Sequence, residues 1–353
     1  MKYLALGRSG LRVSELCLGT MTFGEEMGLG APRPECQAVF DAFLGAGGNF
    51  IDTANVYNRG TSESMLGDFA ASEREHLVLA TKYGLSTRGD DPNAAGSQRK
   101  NLVQALEASL RRLRTPYIDL YWLHGWDARI PPAELMRALD DQVRAGKILH
   151  IGISNAPAWA IASANTIALE RGWTPFTAMQ LHYNLVERSI EADFLALAEA
   201  QDMAITPWSP LASGLLSGKF SSGAAPAASA GARLSQPARA ARVFDERNRR
   251  AADGLVRMAA EMDCRPAQLA LAWLRQRHPS PVLVPIIGAR NRGQLAENLG
   301  CLELQLDAAQ LARLDELAPP LPGYPQSLLD SGFFQQLMYG EVRGRMPHRA
   351  YRH

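Results

Sequence analysis

Between about residues 15 and 287, short apolar runs alternate along the chain with segments of helical periodicity. Short apolar runs bounded by turn residues indicate buried strands, and longer amphipathic segments indicate helices. Strands are predicted near residues 15–19, 49–52, 77–81, 118–122, 148–152, 177–181, 203–207 and 282–287. Helices are predicted near 33–46, 62–71, 98–113, 131–145, 156–171, 189–200, 246–262 and 266–277. Eight strands that alternate with helices in one chain favour an α/β fold, the (β/α)8 TIM barrel.

A doubly wound sheet is the main alternative for this alternation. The segment after the first strand, Gly19-Thr20-Met21-Thr22-Phe23-Gly24, lacks the Gly-x-Gly-x-x-Gly pattern of a dinucleotide-binding sheet. Residues 3–6 and 11–13 flank the turn-forming segment 7–10, which predicts an N-terminal β-hairpin that closes the bottom of the barrel. We therefore expect one barrel domain over residues 1–318 and a tail over 319–353.

Three stretches interrupt the alternation. Residues 84–97 are polar and rich in Gly, and residues 217–245 are rich in Ala, Gly, Ser and Pro. Both follow predicted strands, so we expect them to form long loops on the rim where the carboxyl ends of the strands lie. The tail over 319–353 is rich in arginine, and we expect it to pack on that rim or to be partly disordered.

The composition excludes several classes of function. The chain has 37 Lys and Arg against 36 Asp and Glu, so there is no electrostatic case for binding nucleic acid or an anionic membrane. The N-terminus does not have the apolar core of a signal peptide, and no apolar run is long enough to span a membrane. The four cysteines form no CxxC pair, which indicates reduced thiols in a cytoplasmic protein. No metal site is predicted, and a homo-oligomer is left open.

Four residues with complementary chemistry occupy corresponding positions. Asp52, Lys82 and His124 lie at the ends of three predicted strands, and Tyr57 lies on the loop after the first of these. Strand ends and the loops after them meet at one rim of a parallel barrel. A phenol has a pKa of about 10, which a neighbouring ammonium lowers. The set therefore suits proton donation to a carbonyl, with a hydride that only a cofactor can supply.

Each of these four residues, taken singly, also has a purely structural interpretation. An Asp after a strand is often a turn residue, and Tyr57 could be an ordinary aromatic of the rim. Lys82 could be a solvated strand end, and His124 a core histidine. Their coincidence at the rim positions of one predicted barrel favours the catalytic interpretation.

The chain resembles the aldo-keto reductases, from Leu6 to Leu299. The resemblance is most specific in residues 50–57, Phe-Ile-Asp-Thr-Ala-Asn-Val-Tyr, followed by Ser62-Glu63 and Leu66-Gly67. It continues in Thr81-Lys82, in residues 119–124 and in Gly152-Ile153-Ser154-Asn155. The resemblance implies that Tyr57 is the general acid, that Asp52 and Lys82 tune it, and that His124 orients the substrate. It also implies NADPH bound in an extended pose across the rim.

The resemblance further implies a set of cofactor-binding residues. Ser154, Asn155 and Gln180 match positions that hold the carboxamide, and Trp208 matches the aromatic that stacks on the nicotinamide. Arg290 can fork onto a 2′-phosphate, which favours NADPH over NADH. The full set is Gly19, Thr20, Met21, Asp52, Ser154, Asn155, Gln180, Trp208, Ser209, Pro210, Leu211, Gly214, Leu216, Lys219, Arg233, Gly288, Arg290, Gln294, Glu297 and Asn298.

The substrate is less well determined. Trp126, Met21, Phe23 and Tyr183 could line an apolar pocket with Tyr57 and His124, and core packing is the alternative for them. Segments near residues 126, 155–159 and 173–176 look like the aryl-alcohol dehydrogenase branch, which implies reduction of aromatic or bulky apolar aldehydes and ketones. Two alternatives remain: a reductase of a sugar-nucleotide or secondary-metabolite intermediate, and an NADP(H)-sensing partner subunit that resembles potassium-channel β subunits.

Overall fold

The computed structural model describes residues 1–220, 243, 245–278, 280–320, 323, 325–329 and 331–339. Within this part of the chain, eight parallel strands form a nearly closed barrel surrounded by helices; the first seven pair in chain order, and the eighth pairs with the first. A separate antiparallel pair precedes them. The predicted (β/α)8 barrel with an N-terminal hairpin is therefore confirmed. The strands are β1 (Tyr3–Ala5), β2 (Arg12–Ser14), β3 (Cys17–Gly19), β4 (Phe50–Asp52), β5 (Val78–Tyr83), β6 (Ile118–Leu123), β7 (Ile148–Ser154), β8 (Ala178–His182), β9 (Ala204–Trp208) and β10 (Ile286–Ile287).

The last strand is shorter than the predicted run over 282–287. Leu283 bridges to Ile205 of β9, whereas Ile286 and Ile287 pair with β3 on the other side. Pro285 lies between these two pieces and has no N–H to donate to a ladder. Its carbonyl still accepts a hydrogen bond from the Cys17 N–H at 3.0 Å. The break in the strand therefore lies at this proline. The residue pairing with β9 lies before it and the residues pairing with β3 lie after it, so the segment still connects the two strands.

The helices that surround the barrel match the predictions, with small differences at their ends. The predicted helix over 189–200 is a 3-10 turn at Ser189–Glu191 followed by a separate helix. The predicted helix over 156–171 begins only after Pro157, because a proline disfavours helical backbone in the residue before it. The helices are α1 (Arg33–Gly45), α2 (Thr61–Phe69), α3 (Arg99–Leu113), α4 (Pro132–Arg144), α5 (Ala158–Glu170), α6 (Phe194–Gln201), α7 (Glu246–Glu261), α8 (Pro266–Gln276), α9 (Arg292–Leu299) and α10 (Ala308–Leu317).

The hairpin closes the end of the barrel opposite the candidate site. Leu6 and Val13 are fully buried and pack with Phe50 and Trp122 in the cluster that fills the barrel interior. A Cβ on Gly7 would lie 2.4 Å from the carbonyl oxygen of Thr177, which directly precedes β8. This close approach, with a φ of +54°, requires glycine. The hairpin therefore covers the amino ends of the strands and leaves the carboxyl ends open.

Beyond α10, the described part of the tail contains two short helices, α11 (Gln326–Leu329) and α12 (Gly332–Tyr339). Phe333 of α12 is 71% exposed. Most of the predicted loop over 217–245 and the last part of the tail lie outside the described residues, so the domain boundary at 318 stays a prediction. None of the described helices is long and apolar enough to cross a lipid bilayer.

A buried arginine joins the loop after β8 to the end of α10. The side chain of Arg188 is 2% exposed and forms ion pairs with Glu191 at 2.7 Å and Asp315 at 3.1 Å. It also donates to the carbonyl oxygens of Asp315 at 3.2 Å and Ala318 at 3.5 Å. One guanidinium therefore satisfies acceptors from two elements that are far apart in sequence.

We expect Arg188→Ala to lower the free energy of unfolding by about 3 kcal/mol, because it leaves two carboxylates without their buried partner. Arg188→Lys keeps the positive charge but loses the planar set of guanidinium donors, so the loss of unfolding free energy should be smaller. Denaturant unfolding followed by circular dichroism measures both variants. A loss below about 1 kcal/mol for the alanine variant would show that the contacts act only as surface pairs.

Candidate active site

The structure brings the side chains of the four predicted catalytic residues together at the open rim. Asp52 is the last residue of β4, Lys82 is the fifth residue of the neighbouring β5, and His124 directly follows β6. Tyr57 begins a short 3-10 turn after β4. Because β4, β5 and β6 are adjacent and parallel, their carboxyl ends carry these groups to one place.

Lys82 lies at the centre of this group. Its side chain is fully buried, and its ammonium forms an ion pair with Asp52 Oδ2. The same nitrogen donates to the Thr53 carbonyl oxygen at 2.7 Å and to Tyr57 Oη at 3.2 Å. An ammonium has three protons, so these three acceptors satisfy it completely. The carbonyl of Thr53 could not be found from the sequence, since a backbone acceptor leaves no mark in residue type.

The carboxylate of Asp52 is held from several sides. Gln180 on β8 donates from Nε2 to Asp52 Oδ1 at 2.9 Å, across the interior of the barrel. Thr20 fixes the Asp52 backbone, because its N–H and its hydroxyl donate to the Asp52 carbonyl oxygen at 2.9 and 3.0 Å. The family resemblance implies that Gln180 helps to hold a carboxamide, and in the structure its amide nitrogen binds the Asp52 carboxylate.

Burial and ion pairing shift the pKa values of Asp52 and Lys82 in opposite directions. Burial raises the pKa of Asp52, and the ammonium of Lys82 opposes that shift without cancelling it. Burial by itself would lower the pKa of Lys82, but the carboxylate of Asp52 and the phenol of Tyr57 outweigh it, so this pKa lies above its ordinary value. Lys82 therefore keeps its positive charge beside Tyr57 at neutral pH.

His124 is a neutral group in this site. Burial, with the nearby charge of Lys82, lowers the pKa of His124 to about 3. Its ring lies edge-on to the ring of Tyr57, with centroids 5.9 Å apart. The Asn155 side chain donates to the His124 carbonyl oxygen at 2.9 Å, and this bond holds the backbone in place. A neutral imidazole suits hydrogen bonding to a substrate better than it suits proton supply.

Three of the predicted cofactor residues form a connected polar group beside the first four. Asn155 donates to the Ser154 hydroxyl at 2.9 Å, and the Trp208 indole N–H donates to Asn155 Oδ1 at 3.2 Å. His182 stacks on Trp208, with centroids 4.1 Å apart and an interplanar angle of 6°. His182 was missed in the sequence, although it follows Gln180 by two residues and so lies on the same face of β8.

The residues predicted after the last strand form a second connected group. Gln294 accepts from the Arg290 backbone N–H at 3.0 Å, and Asn298 donates to the Gly288 carbonyl oxygen at 3.3 Å. The predicted helix face therefore contacts the backbone of residues 288–290, and Glu297 lies half-buried on the same helix. The side chains of α9 thus hold this loop in a fixed shape.

The other predicted cofactor residues lie in two loops of the rim. Gly19 ends β3, Thr20 and Met21 follow it, and Met21 is half-buried. After β9, Ser209 and Gly214 have positive φ values of 55° and 102°, which turn the chain sharply. Pro210 is buried, Leu211 is half-buried and Lys219 is exposed, whereas Leu216 is fully buried in the core. Arg233 lies outside the described residues.

Two of the predicted pocket residues are in the core instead. The side chains of Phe23 and Tyr183 have no exposed surface. Phe23 packs edge-on against Phe69 of α2, and the Tyr183 hydroxyl donates to Glu191 at 2.7 Å. Apolar character alone does not distinguish a pocket from a core, and core packing was the alternative for both. Trp126 remains half-buried at the rim, where it packs against Trp159, which is 66% exposed.

The depressed pKa of His124 predicts a pH effect on stability. An unfolded histidine takes up a proton below about pH 6.5, whereas the folded His124 does so only near pH 3. As the pH falls through this window, wild type should lose stability relative to His124→Gln, by at most about 1.4 kcal/mol per pH unit. Denaturant unfolding of both proteins at several pH values measures this difference. A difference independent of pH would mean that His124 titrates normally.

Comparison with known proteins is consistent with this site. The sequence model of the aldo/keto reductase family matches residues 15–319. Norsolorinic acid reductase of Aspergillus flavus is 34% identical over 333 residues, which cover 91% of this chain and 82% of that protein. Aryl-alcohol dehydrogenase [NADP(+)] of Phanerodontia chrysosporium is 34% identical over 349 residues, covering 92% and 87%. Uncharacterized oxidoreductase YrpG of Bacillus subtilis is 37% identical over 330 residues, covering 90% and 96%. The chain therefore belongs to the aldo/keto reductase family of oxidoreductases.

Proposed function

We propose that this protein reduces an aldehyde or ketone to an alcohol with NADPH, and that Tyr57 is the general acid. The observation that carries this proposal is the 3.2 Å contact between Tyr57 Oη and the ammonium of Lys82. That ammonium is fully buried, and its other two acceptors are Asp52 and Thr53. A cation held in this way stabilises the phenolate that remains when Tyr57 gives its proton to a carbonyl oxygen.

His124 supplies orientation in this proposal. Its imidazole is neutral at neutral pH, so it does not compete with Tyr57 as the proton donor. The ring lies edge-on to Tyr57, and a carbonyl oxygen placed between them can accept hydrogen bonds from both. The pair therefore fixes the substrate oxygen and leaves proton transfer to the phenol.

The residues of the rim fit a nicotinamide dinucleotide. Asn155 and Ser154 present an amide and a hydroxyl, which are the donors and acceptors that a carboxamide needs. Trp208 is covered on one face by His182, so its other face is the one that an aromatic ring would stack on. The bound nicotinamide would supply the hydride that no side chain can provide. The loop held by α9 and the side chain of Arg290 would take the adenosine phosphates.

The substrate class follows from the rim and from the relatives. Trp126 and Trp159 place two indole rings edge to face beside the segment that carries His124. Two of the three relatives named above are a reductase of norsolorinic acid and a dehydrogenase of aryl alcohols. We infer that aromatic or other bulky apolar carbonyl compounds are the preferred substrates, because indole faces favour flat apolar rings.

Replacing the proposed acid tests the function directly. Tyr57→Phe should lower kcat by about a thousandfold, since it removes the proton donor, and the affinity for NADPH should stay within about twofold. NADPH oxidation with a panel of aromatic and aliphatic carbonyl compounds measures the first quantity, and the fluorescence of bound NADPH measures the second. Tyr3→Phe removes an exposed phenol outside the site and serves as the matched control. Near-normal turnover by Tyr57→Phe would reject the mechanism.

Arg290 should decide between the two nicotinamide cofactors. Arg290→Ala should raise KM for NADPH by about tenfold or more, because a charge-assisted bond to the 2′-phosphate is lost, and it should leave KM for NADH almost unchanged. Steady-state kinetics with each cofactor measure this ratio. Arg292→Ala, an exposed arginine two residues further on, is the control. Equal losses with both cofactors would contradict a phosphate contact.

A further inference from the structure

One row of residues starts at Lys82 of the site and continues around the barrel over four further strands. Lys82, Trp122, Gly152, Ala178 and Ala204 are neighbours in register on β5, β6, β7, β8 and β9. Residues paired in this way point to the same side of a sheet, and here that side is the interior. One very large side chain is therefore followed by three of the smallest.

Gly152 makes room for the indole of Trp122. This side chain is fully buried, and a Cβ added at Gly152 would lie 2.3 Å from its Cζ3 atom. The ring therefore lies directly over the backbone of β7 and extends away from its own strand. Any larger residue at 152 would push it out of this position.

The indole N–H is the unusual part of this arrangement. It is buried, and no residue in the described part of the chain accepts a hydrogen bond of standard geometry from it. Such a group normally finds an acceptor, because an unpaired buried N–H is costly. A carboxylate with two oxygens has room for further donors beyond the one that each oxygen already has, Gln180 on Oδ1 and Lys82 on Oδ2.

Several groups act on the Asp52 carboxylate from the surrounding strands. Burial has the largest effect on the pKa of Asp52 and raises it, whereas Lys82, Gln180 and the N–H of Trp122 each lower it. Cys17, on β3, is a thiol whose pKa is raised by burial and by the charge of Asp52, with Lys82 acting in the opposite direction. Tyr57 and His124 face the same pair from the rim. Among the described groups around Asp52, two buried ring nitrogens have no partner of standard geometry, Trp122 Nε1 and His124 Nδ1, and of these only the indole nitrogen acts on the Asp52 carboxylate.

We propose that Trp122 is a positioning residue, whose indole turns its N–H to the Asp52 carboxylate and so keeps that group oriented to hold Lys82 against Tyr57. The inference rests on the function proposed above and assigns a supporting role in that mechanism to a residue of the barrel interior. It also explains why glycine stands at position 152, since a Cβ there would meet the indole.

Trp122→Phe keeps an aromatic ring and removes the N–H. We expect kcat to fall by about threefold to tenfold and KM for NADPH to stay within about twofold. The acidic limb of the pH profile of kcat should move to higher pH, since Asp52 loses a donor to its charged form. Trp273→Phe is the matched control, because Trp273 is also buried but donates to Asp315 instead. Unchanged kcat and an unchanged profile in Trp122→Phe would overturn the proposal.

The indole resonance gives a second measurement that does not depend on activity. In a ¹⁵N–¹H spectrum the Trp122 peak is identified by its absence in Trp122→Phe, or by comparison with the other indoles. We expect Asp52→Asn to shift this peak strongly and to leave that of Trp273 in place. A Trp122 peak that does not respond would also overturn the proposal. If Tyr57→Phe retained activity the proposed function would fail, whereas an inactive Tyr57→Phe with an unaffected Trp122→Phe would reject this inference alone.

Discussion

The buried ion pair of Lys82 and Asp52 is the interaction on which the site depends. Taking two charges out of water costs several kcal/mol for each ion, and attraction alone does not repay this cost unless every remaining proton and lone pair is used. Here the ammonium has three acceptors and the carboxylate has donors on both oxygens. Three strands of the barrel must be in register for these contacts to form, so the pair and the barrel require each other.

The barrel also sets the environment that gives these groups their chemistry. Below the pair the interior is apolar, with Leu6, Phe50 and Trp122 excluding water. The hairpin closes the amino ends of the strands, so in the described part of the chain the site is open to solvent at the other rim. The same packing that stabilises the fold therefore keeps Lys82 charged and His124 neutral. The pKa of the first is raised and that of the second is lowered, although the two residues are close together.

The rim is built with backbone that is rare in regular structure. Asn155 directly follows β7 and Ser209 directly follows β9, and both have positive φ values, 51° and 55°. Such conformations persist only where surrounding contacts hold them. Asn155 is held by its bonds to Ser154, His124 and Trp208, and the Ser209 carbonyl accepts from Asn184 at 3.0 Å. Positive φ also occurs at helix ends, as at Arg114 and Asp202, but at no residue of the described barrel strands.

The sequence by itself determined the barrel and the place where its four reactive groups meet. The strands could be located because hydrophobic periodicity is a property of neighbouring residues in the sequence. In a parallel barrel the carboxyl ends of all strands lie at the same rim, so the strand positions also gave the position of the site. The sequence could not show that Phe23 and Tyr183 lie in the core, because pockets and cores are lined by the same apolar residue types. The bond from Gln180 to Asp52 and the position of Trp122 over Gly152 were also decided by the tertiary structure. These contacts join strands that are distant along the chain, and their geometry depends on how the barrel closes, which no local pattern records.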